Sequence, residues 1–387
     1  MTSLRESILN LFSPVEPIPA GTYHYIAPPE DPRNYRLHLR LEPDGKGILI
    51  VNAATVLHMN ETAAEYAYHL VNCTPEDQVA KTTSSRYRIN SSQALQDYKE
   101  FVERIDTLVS TPDLDPVMFL NFERQEPYSG HITSPYRLDC ALTYRLPEGM
   151  DPDFAPTKRV SRELSTEEWN LILDKSWDIG IPHIIFSGGE PTLREDLVTL
   201  IDKAEKNGQV TGLLTDGFHL GNKQYLDSLL QTGLDHILFI LHPEIEHAWT
   251  ALQSVLEEDI YTAVHLTMTP QNVGGFHDLI HKLKEMDVRA ISLSATSGSL
   301  DSDLESSREM AAELEIDLVW DIPVPYSSHN PVAVEIEAEE IDIPEGSGRA
   351  WLYVEPDGDV LPAQGINKVL GNVLTDTWEQ IWSQHAE

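Results

Sequence analysis

Hydrophobic and polar positions change rhythm along the 387-residue chain, and the changes mark its parts. Between residues 136 and 320 short apolar runs recur: LDCALTY from Leu138, PHIIF from Pro182, VTGLL from Val210, DHILFIL from Asp235, YTAVHLTM from Tyr261 and VRAISLS from Val288. From the second run onward the starts lie 28, 25, 26 and 27 residues apart. Between them, as in STEEWNLILDKSWDIG and LREDLVTLIDKAEKNG, apolar residues return every three or four positions, the period of a helix with one buried face. Several of these stretches end in Gly, a common helix stop. Strands alternating with helices at this spacing predict βαβ units around a parallel sheet. Six units are fewer than the eight of a closed barrel. The expected fold is therefore α/β, with a partial (βα)6 barrel over 136–320.

The flanks read differently. In residues 1–30, SLRESILNLF has the pattern of one short amphipathic helix, and the prolines that follow keep the chain extended, so this is an arm. Within 31–110, YRLHLRLEP alternates apolar and polar, DGKG turns the chain, and GILIVN returns. Asn60 is placed to cap a helix over NETAAEYAYHLV. Leu95, Tyr98, Phe101, Val102, Ile105 and Leu108 share one face of a second helix. Hairpin plus helices predict a small winged-helix-like module. Residues 111–135 are turn-rich and read as a linker. Residues 321–387 begin with a Pro-rich, acidic connector to 345. A hairpin turning on Pro356, Asp357 and Gly358 follows, then a closing helix near DTWEQIWSQ. Asp357-Gly358-Asp359 has the spacing of half a calcium loop, which the hairpin explains.

Charge narrows the partners. With 27 Lys+Arg against 63 Asp+Glu, the formal net charge is −36. Such a surface repels phosphate backbones and anionic lipid, so neither nucleic acid nor membrane is an expected partner, and cationic partners are favoured. No apolar run approaches the roughly 18–20 residues of a membrane span, and the start lacks the features of a signal peptide. A soluble, cytoplasmic protein is expected. Two cysteines, Cys73 and Cys140, make neither a disulfide framework nor a four-cysteine metal site.

In parallel βα folds ligands gather at the carboxyl ends of the strands. There the chain places Gly188, Gly189, Glu190 and Pro191 within SGGEPTLRED, then Thr215-Asp216-Gly217, His242-Pro243, Thr267 and Thr269, and Ser294. Adjacent glycines let backbone approach a ligand closely; read alone, Gly-Gly-Glu-Pro is equally a tight strand-to-helix turn. Glu190, Asp216 and His242 are the acid–base candidates. His183, His236, His242 and His265 lie in or beside strands, without the short spacing of a metal site, and no G-x-S-x-G occurs.

The stretch RELSTEEWNLILDKSWDIGIPHIIFSGGEPTLREDLVTLIDKAEKNG resembles the radical SAM superfamily. The likeness continues through LLTDG and DIPVPYS. The tail GRAWLYVEPDGDVLPAQGINKVLGNVLTDTWEQIW looks like a SPASM-type extension, and residues 31–110 are similar to a PqqD-like peptide-recognition module. The resemblance implies that Gly188, Gly189, Glu190 and Pro191, with Asp216 and Ser294, bind S-adenosylmethionine. It also implies a CxxxCxxC run after the first strand, holding a [4Fe–4S] cluster. Here those positions fall on Leu146, Met150 and Asp153, and Ala363 stands where the extension usually has a cysteine. Because thiolates hold such clusters, the expectation is that no cofactor is bound: no [4Fe–4S] cluster, and S-adenosylmethionine at most weakly. The implied function is a radical-SAM-like pseudoenzyme that binds a peptide or partner protein through 31–110, in a peptide-modification system. The strand YRLHLRLE, around Leu39, would be the edge that receives it. Two alternatives remain open. One is an enzyme with non-radical chemistry in the barrel mouth. The other is a radical enzyme whose cluster is held by unusual ligands or by a partner.

Overall fold

Alternating strands dominate the first half of the N-terminal segment and amphipathic helices the second, and the computed structural model turns this order into two layers. It describes residues 18–111 apart from 54 and 88, residues 114 and 116, and residues 132–149, 159–319 and 346–383. The chain divides into two compact units, Met1–Ile132 and Thr133–Glu387.

The first unit is an antiparallel meander of β1 (Gly21–Ile26), β2 (Arg36–Leu41), β3 (Gly47–Val51) and β4 (Thr55–Met59), followed by α1 (Glu61–Val71), α2 (Glu76–Tyr87) and α3 (Ser91–Ser110). Alternation sends Leu37, Leu39, Leu41, Leu49 and Val51 to one face of the sheet, where they pack with Tyr66 and Val71 of α1 and Tyr98, Phe101, Ile105 and Leu108 of α3. Asn60 caps α1 as expected, accepting from the Ala63 N–H at 3.0 Å.

Three elements exceed the sequence reading: β1 lies within the expected arm, and β4 and α2 were not anticipated. In α2 only Val79, Ala80 and Thr83 are buried, too few to give a clear helical stripe. The extra strand also corrects the placement of the edge. β2 lies between β1 and β3, and Leu39 is fully buried, so YRLHLRLE is an interior strand. The half-exposed strand at this end of the sheet is β1, which pairs with β2 alone among the described residues.

The second unit follows the predicted rhythm. Its six strands are β5 (Arg137–Thr143), β6 (His183–Gly188), β7 (Val210–Thr215), β8 (His236–Ile240), β9 (Tyr261–Met268) and β10 (Ala290–Ala295). They alternate with α4 (Thr166–Asp178), α5 (Leu197–Asn207), α6 (Lys223–Leu230), α7 (Glu246–Leu256), α8 (Phe276–Glu285) and α9 (Asp301–Glu313). All six strands pair in parallel, in sequence order. Short β11 (Asp317–Leu318) extends one edge beyond β10. At the other edge β12 (Trp351–Val354) joins β5 in parallel, and β13 (Asp359–Leu361) and β14 (Gly371–Asn372) continue antiparallel. The closing helix is α10 (Trp378–Ser383).

The core lies between sheet and helices. Leu142, Phe186, Leu213, Phe239, Leu266 and Ile291 from the strands meet Trp169, Ile172, Ile201, Leu252 and Leu283 from the helices. A smaller set, with Ile185, Leu214, Leu238 and Ile240, faces the opposite way, as the two-residue strand period requires. Ser165 and Glu168 form a capping box that starts α4, and Gly208 in the left-handed conformation ends α5. Among the described residues no helix is long and apolar enough to cross a membrane. The helix expected in the arm and the connector 321–345 lie outside the described residues, as does most of 111–135.

Replacing Leu39 by Ala should lower the stability of the first unit by about 2–5 kcal/mol, the usual loss for a fully buried leucine. Urea unfolding followed by circular dichroism checks this; a loss below about 1 kcal/mol, typical of a surface change, would contradict the interior position of β2.

Candidate functional site

The site is built where β5, β6 and β7 end. Gly188 closes β6 at φ +134°, and a Cβ there would stand 2.1 Å from the Thr143 carbonyl oxygen. At Gly189 a Cβ would stand 2.3 Å from the Arg145 carbonyl oxygen. Only glycine allows this approach. The two chain segments then run side by side, with Gly189 N–H donating to Thr143 O at 2.8 Å and Glu190 N–H to Arg145 O at 2.9 Å.

Glu190 is fully buried. Its carboxylate accepts from Thr192 N–H at 2.8 Å, the Thr192 hydroxyl, the Thr215 hydroxyl at 2.8 Å and Asp216 N–H at 2.9 Å. These donors satisfy the charge and tie the β6 loop to the end of β7. Pro191 then opens a short 3-10 turn, Pro191–Leu193, with Glu190 as its cap. Asp216 is partly exposed and accepts from Phe218 N–H at 2.8 Å. Burial, and then the neighbouring Glu190 carboxylate, hold the Asp216 carboxyl well above the usual carboxylate range.

A second polar group lines β9 and β10. His265 is buried; its Nδ1 lies 3.2 Å from Ser292 Oγ, and its Nε2 lies 3.1 Å from Thr267 Oγ1 and 3.2 Å from Ser294 Oγ. Burial, helped by His242, pushes its pKa down to about 4, so it is neutral at pH 7. His242 follows β8, half-buried, with Nδ1 3.7 Å from a Glu244 carboxylate oxygen. Ser187 Oγ on β6 is buried and has no hydrogen-bond partner among the described residues. His183 and His236 pair at the amino ends of their strands, Nε2 to Nε2 at 3.3 Å, away from the mouth.

Thus Glu190 and Asp216 are brought together, as are His265 and Ser294, while the His183–His236 pair is set apart. The partners of Glu190, Thr192 and Thr215, were not legible as such. The inward pairs His265/Thr267 and Ser292/Ser294 do carry a signal, polar residues two apart on apolar strands.

Beyond β5, Tyr144 donates to Glu355 at 2.9 Å and Arg159 Nε to the same carboxylate at 2.5 Å, joining the barrel to the tail hairpin. No local pattern announces a contact across some two hundred residues. Leu146, partly buried, packs against Ala141, Tyr144, Tyr353 and Leu361. Ala363 is buried after β13. Met150 and Asp153 lie outside the described residues. Cys140 is buried in the helix-side core, where burial and then Asp139 raise its thiol pKa well above the ordinary value, and Cys73 is exposed in the first unit. Glu355, Asp357 and Asp359 bring ligand atoms within 4.8 Å of one another. Arg159 already pairs with the first and Asn372 with the last, at 2.9 Å.

Two outcomes follow from this geometry. Gly189→Ala should destabilise the second unit by more than about 2 kcal/mol, the range for a backbone clash; unchanged thermal unfolding would contradict the close approach. Asp216 holds its proton to higher pH when folded than when unfolded, where it loses it above about pH 4, so its contribution to stability falls as pH rises from there. Asp216→Asn should therefore melt higher than the parent at pH 7, with the difference vanishing near pH 4. Equal Tm values at both pH values would contradict the assignment.

Known proteins resemble this chain in sequence and in fold. Residues 140–242 match the model of the radical SAM superfamily. The PqqA peptide cyclase of Rhizobium meliloti (strain 1021) is 27% identical over 288 residues, 65% of this chain and 74% of the relative. That of Methylorubrum extorquens (strain PA1) is 26% identical over 291 residues, 65% and 73% of the two chains. Among solved structures, Streptococcus suis SuiB bound to S-adenosylmethionine superposes with a TM-score of 0.56 at 16% identity, covering 93% of this chain and 88% of SuiB. SuiB bound to its precursor peptide SuiA gives 0.57 at 14%, with the same coverage.

These matches correct the expectation that no cofactor accompanies the chain: they point to S-adenosylmethionine and a [4Fe–4S] cluster as the cofactors that go with this fold. The donor set here does not fit the usual three-thiolate form of the cluster, since Cys140 lies in the core and no cysteine follows it. Residues 140–242 are a radical SAM domain, and the chain as a whole is α/β in fold and homologous to the PqqA peptide cyclases.

Proposed function

We propose that this chain is the peptide-recognising member of a peptide-modification system, a pseudoenzyme in the sense that its own residues carry recognition rather than radical generation. The observation that carries the reading is the strand β1 at the end of the first unit's sheet, half-exposed and paired on one side among the described residues. Such an edge takes an extended peptide as an added strand, main chain to main chain. The first unit is then a PqqD-like module, and the net charge of −36 selects a basic peptide. The relatives support this: those matched in sequence are named as peptide cyclases, and SuiB is known bound to a precursor peptide.

In the barrel mouth, Gly188, Gly189, Glu190, Pro191, Asp216 and Ser294 line the place for S-adenosylmethionine. When bound, that cofactor supplies a reactive sulfonium centre. Glu190 is a positioning carboxylate there, because its donors hold it within the protein. Asp216, partly exposed, and the Ser294 hydroxyl, which also bonds His265 and Thr267, are the groups that would meet the cofactor.

A random-peptide display library selected on the full chain should enrich basic, extended sequences. Consecutive residues of a strand direct their N–H groups to opposite sides, so of Tyr25→Pro and Ile26→Pro one removes a donor from the outer edge. That variant should lose peptide binding with the second unit's unfolding unchanged; retained binding in both would overturn the edge reading. Calorimetric titration should show S-adenosylmethionine binding weakened at least about tenfold by Asp216→Ala, and equal affinities would remove Asp216 from the cofactor site.

A further inference from the structure

The geometry points to a second binding site, at the opposite end of the barrel from the mouth, for a small organic cation with an aromatic or branched apolar body. Between α4 and the tail lies a hollow of about 320 Å³, open on one side. Its apolar lining includes Leu138, Ile181, Val360, Val373, Trp378 and Ile381. Leu138 is the second residue of β5, whereas the mouth lies beyond the carboxyl end of that strand. The hollow therefore shares no wall residue with Glu190, Asp216, His265 or Ser294 among the described residues.

The walls are fixed. Lys175 Nζ donates to the Val373 carbonyl at 2.6 Å, which clamps the tail onto α4. Trp378 donates its indole N–H to the Thr133 carbonyl at 3.0 Å and stacks on Trp382 at 5.5 Å between centroids. Ser176 is already satisfied, donating to Leu173 O at 2.8 Å and accepting from Gln209 at 3.1 Å. A hollow of this size between otherwise close-packed walls is in the range of small-ligand pockets and large enough for a bicyclic aromatic group.

The rim sets the charge. Asp178 is the last residue of α4 and is exposed; Asp376 lines the hollow from the tail, its carboxylate accepting from Asn372 N–H at 2.7 Å. The carboxyl end of α4 adds the negative pole of its helix dipole. The one basic residue of the lining, Lys175, has its ammonium engaged by the tail carbonyls. Two carboxylates, a helix carboxyl end and a chain of net charge −36 favour a cation. An apolar body with one ammonium group matches both floor and rim.

Tryptamine and indole-3-acetate have the same aromatic body and opposite charge. Titrated calorimetrically into the full chain, tryptamine should bind at least about tenfold more tightly than indole-3-acetate. Val373→Phe, which fills the hollow, should abolish tryptamine binding, and Asp178→Asn should narrow the preference between the two probes. Asp178 is exposed, so this variant keeps the fold even if Val373→Phe does not. No binding of tryptamine, equal binding of the two probes, or a preference unchanged in Asp178→Asn would overturn the site.

Discussion

A buried carboxylate with no cationic partner among the described residues sets the shape of the barrel mouth. Glu190 is fully buried, and backbone N–H groups and threonine hydroxyls from two strand ends donate to its carboxyl oxygens. An uncompensated carboxylate there would cost several kcal/mol, so the loop after β6 and the end of β7 are locked together. Everything at the mouth inherits this lock. Asp216 is placed by its N–H bond to Glu190, and burial, then the Glu190 carboxyl beside it, raises its pKa. The glycine pair before Glu190 serves the same end, letting β6 and β5 close to a distance that any side chain would forbid.

The same physics separates the two ends of the sheet. At the carboxyl ends polar side chains turn inward and find one another, as His265 does with two serines and a threonine. At the amino end of β5 the helix-side surface is apolar, and the tail returns over it without filling the space. A sheet lengthened by β12, β13 and β14 therefore does two things. It joins Glu355 to Tyr144 and Arg159 near the mouth, and it leaves a hollow against α4 on the far side.

The radical SAM match at 140–242 comes without the three cysteines that usually accompany it, since no cysteine follows Cys140. Residues 140–242 match the superfamily, while the segment where the resemblance places three thiolates has Leu146 packed against the cluster of Tyr144, Tyr353 and Leu361. Fold is specified by a pattern spread over many apolar positions, each tolerant of exchange. A ligand set rests on three side chains whose chemistry has no substitute among the residues standing there.

Local order was legible in the sequence. The period of two against the period of three to four gave the six βα units, the Asn60 cap, the glycine stops and the tail hairpin, because each depends on neighbours a few residues apart. The carboxyl-end rule brought Glu190, Asp216 and Ser294 forward for the same reason. What only the tertiary structure decided involves distance along the chain. β1 pairs with β2 and makes Leu39 interior, although β2 by its alternation alone could equally have been an edge. Glu190 proves saturated because Thr215 and the Asp216 N–H reach it from the next strand. Burial and partner choice are properties of the packed assembly, and no local pattern records which side chain will arrive from another strand to satisfy a charge.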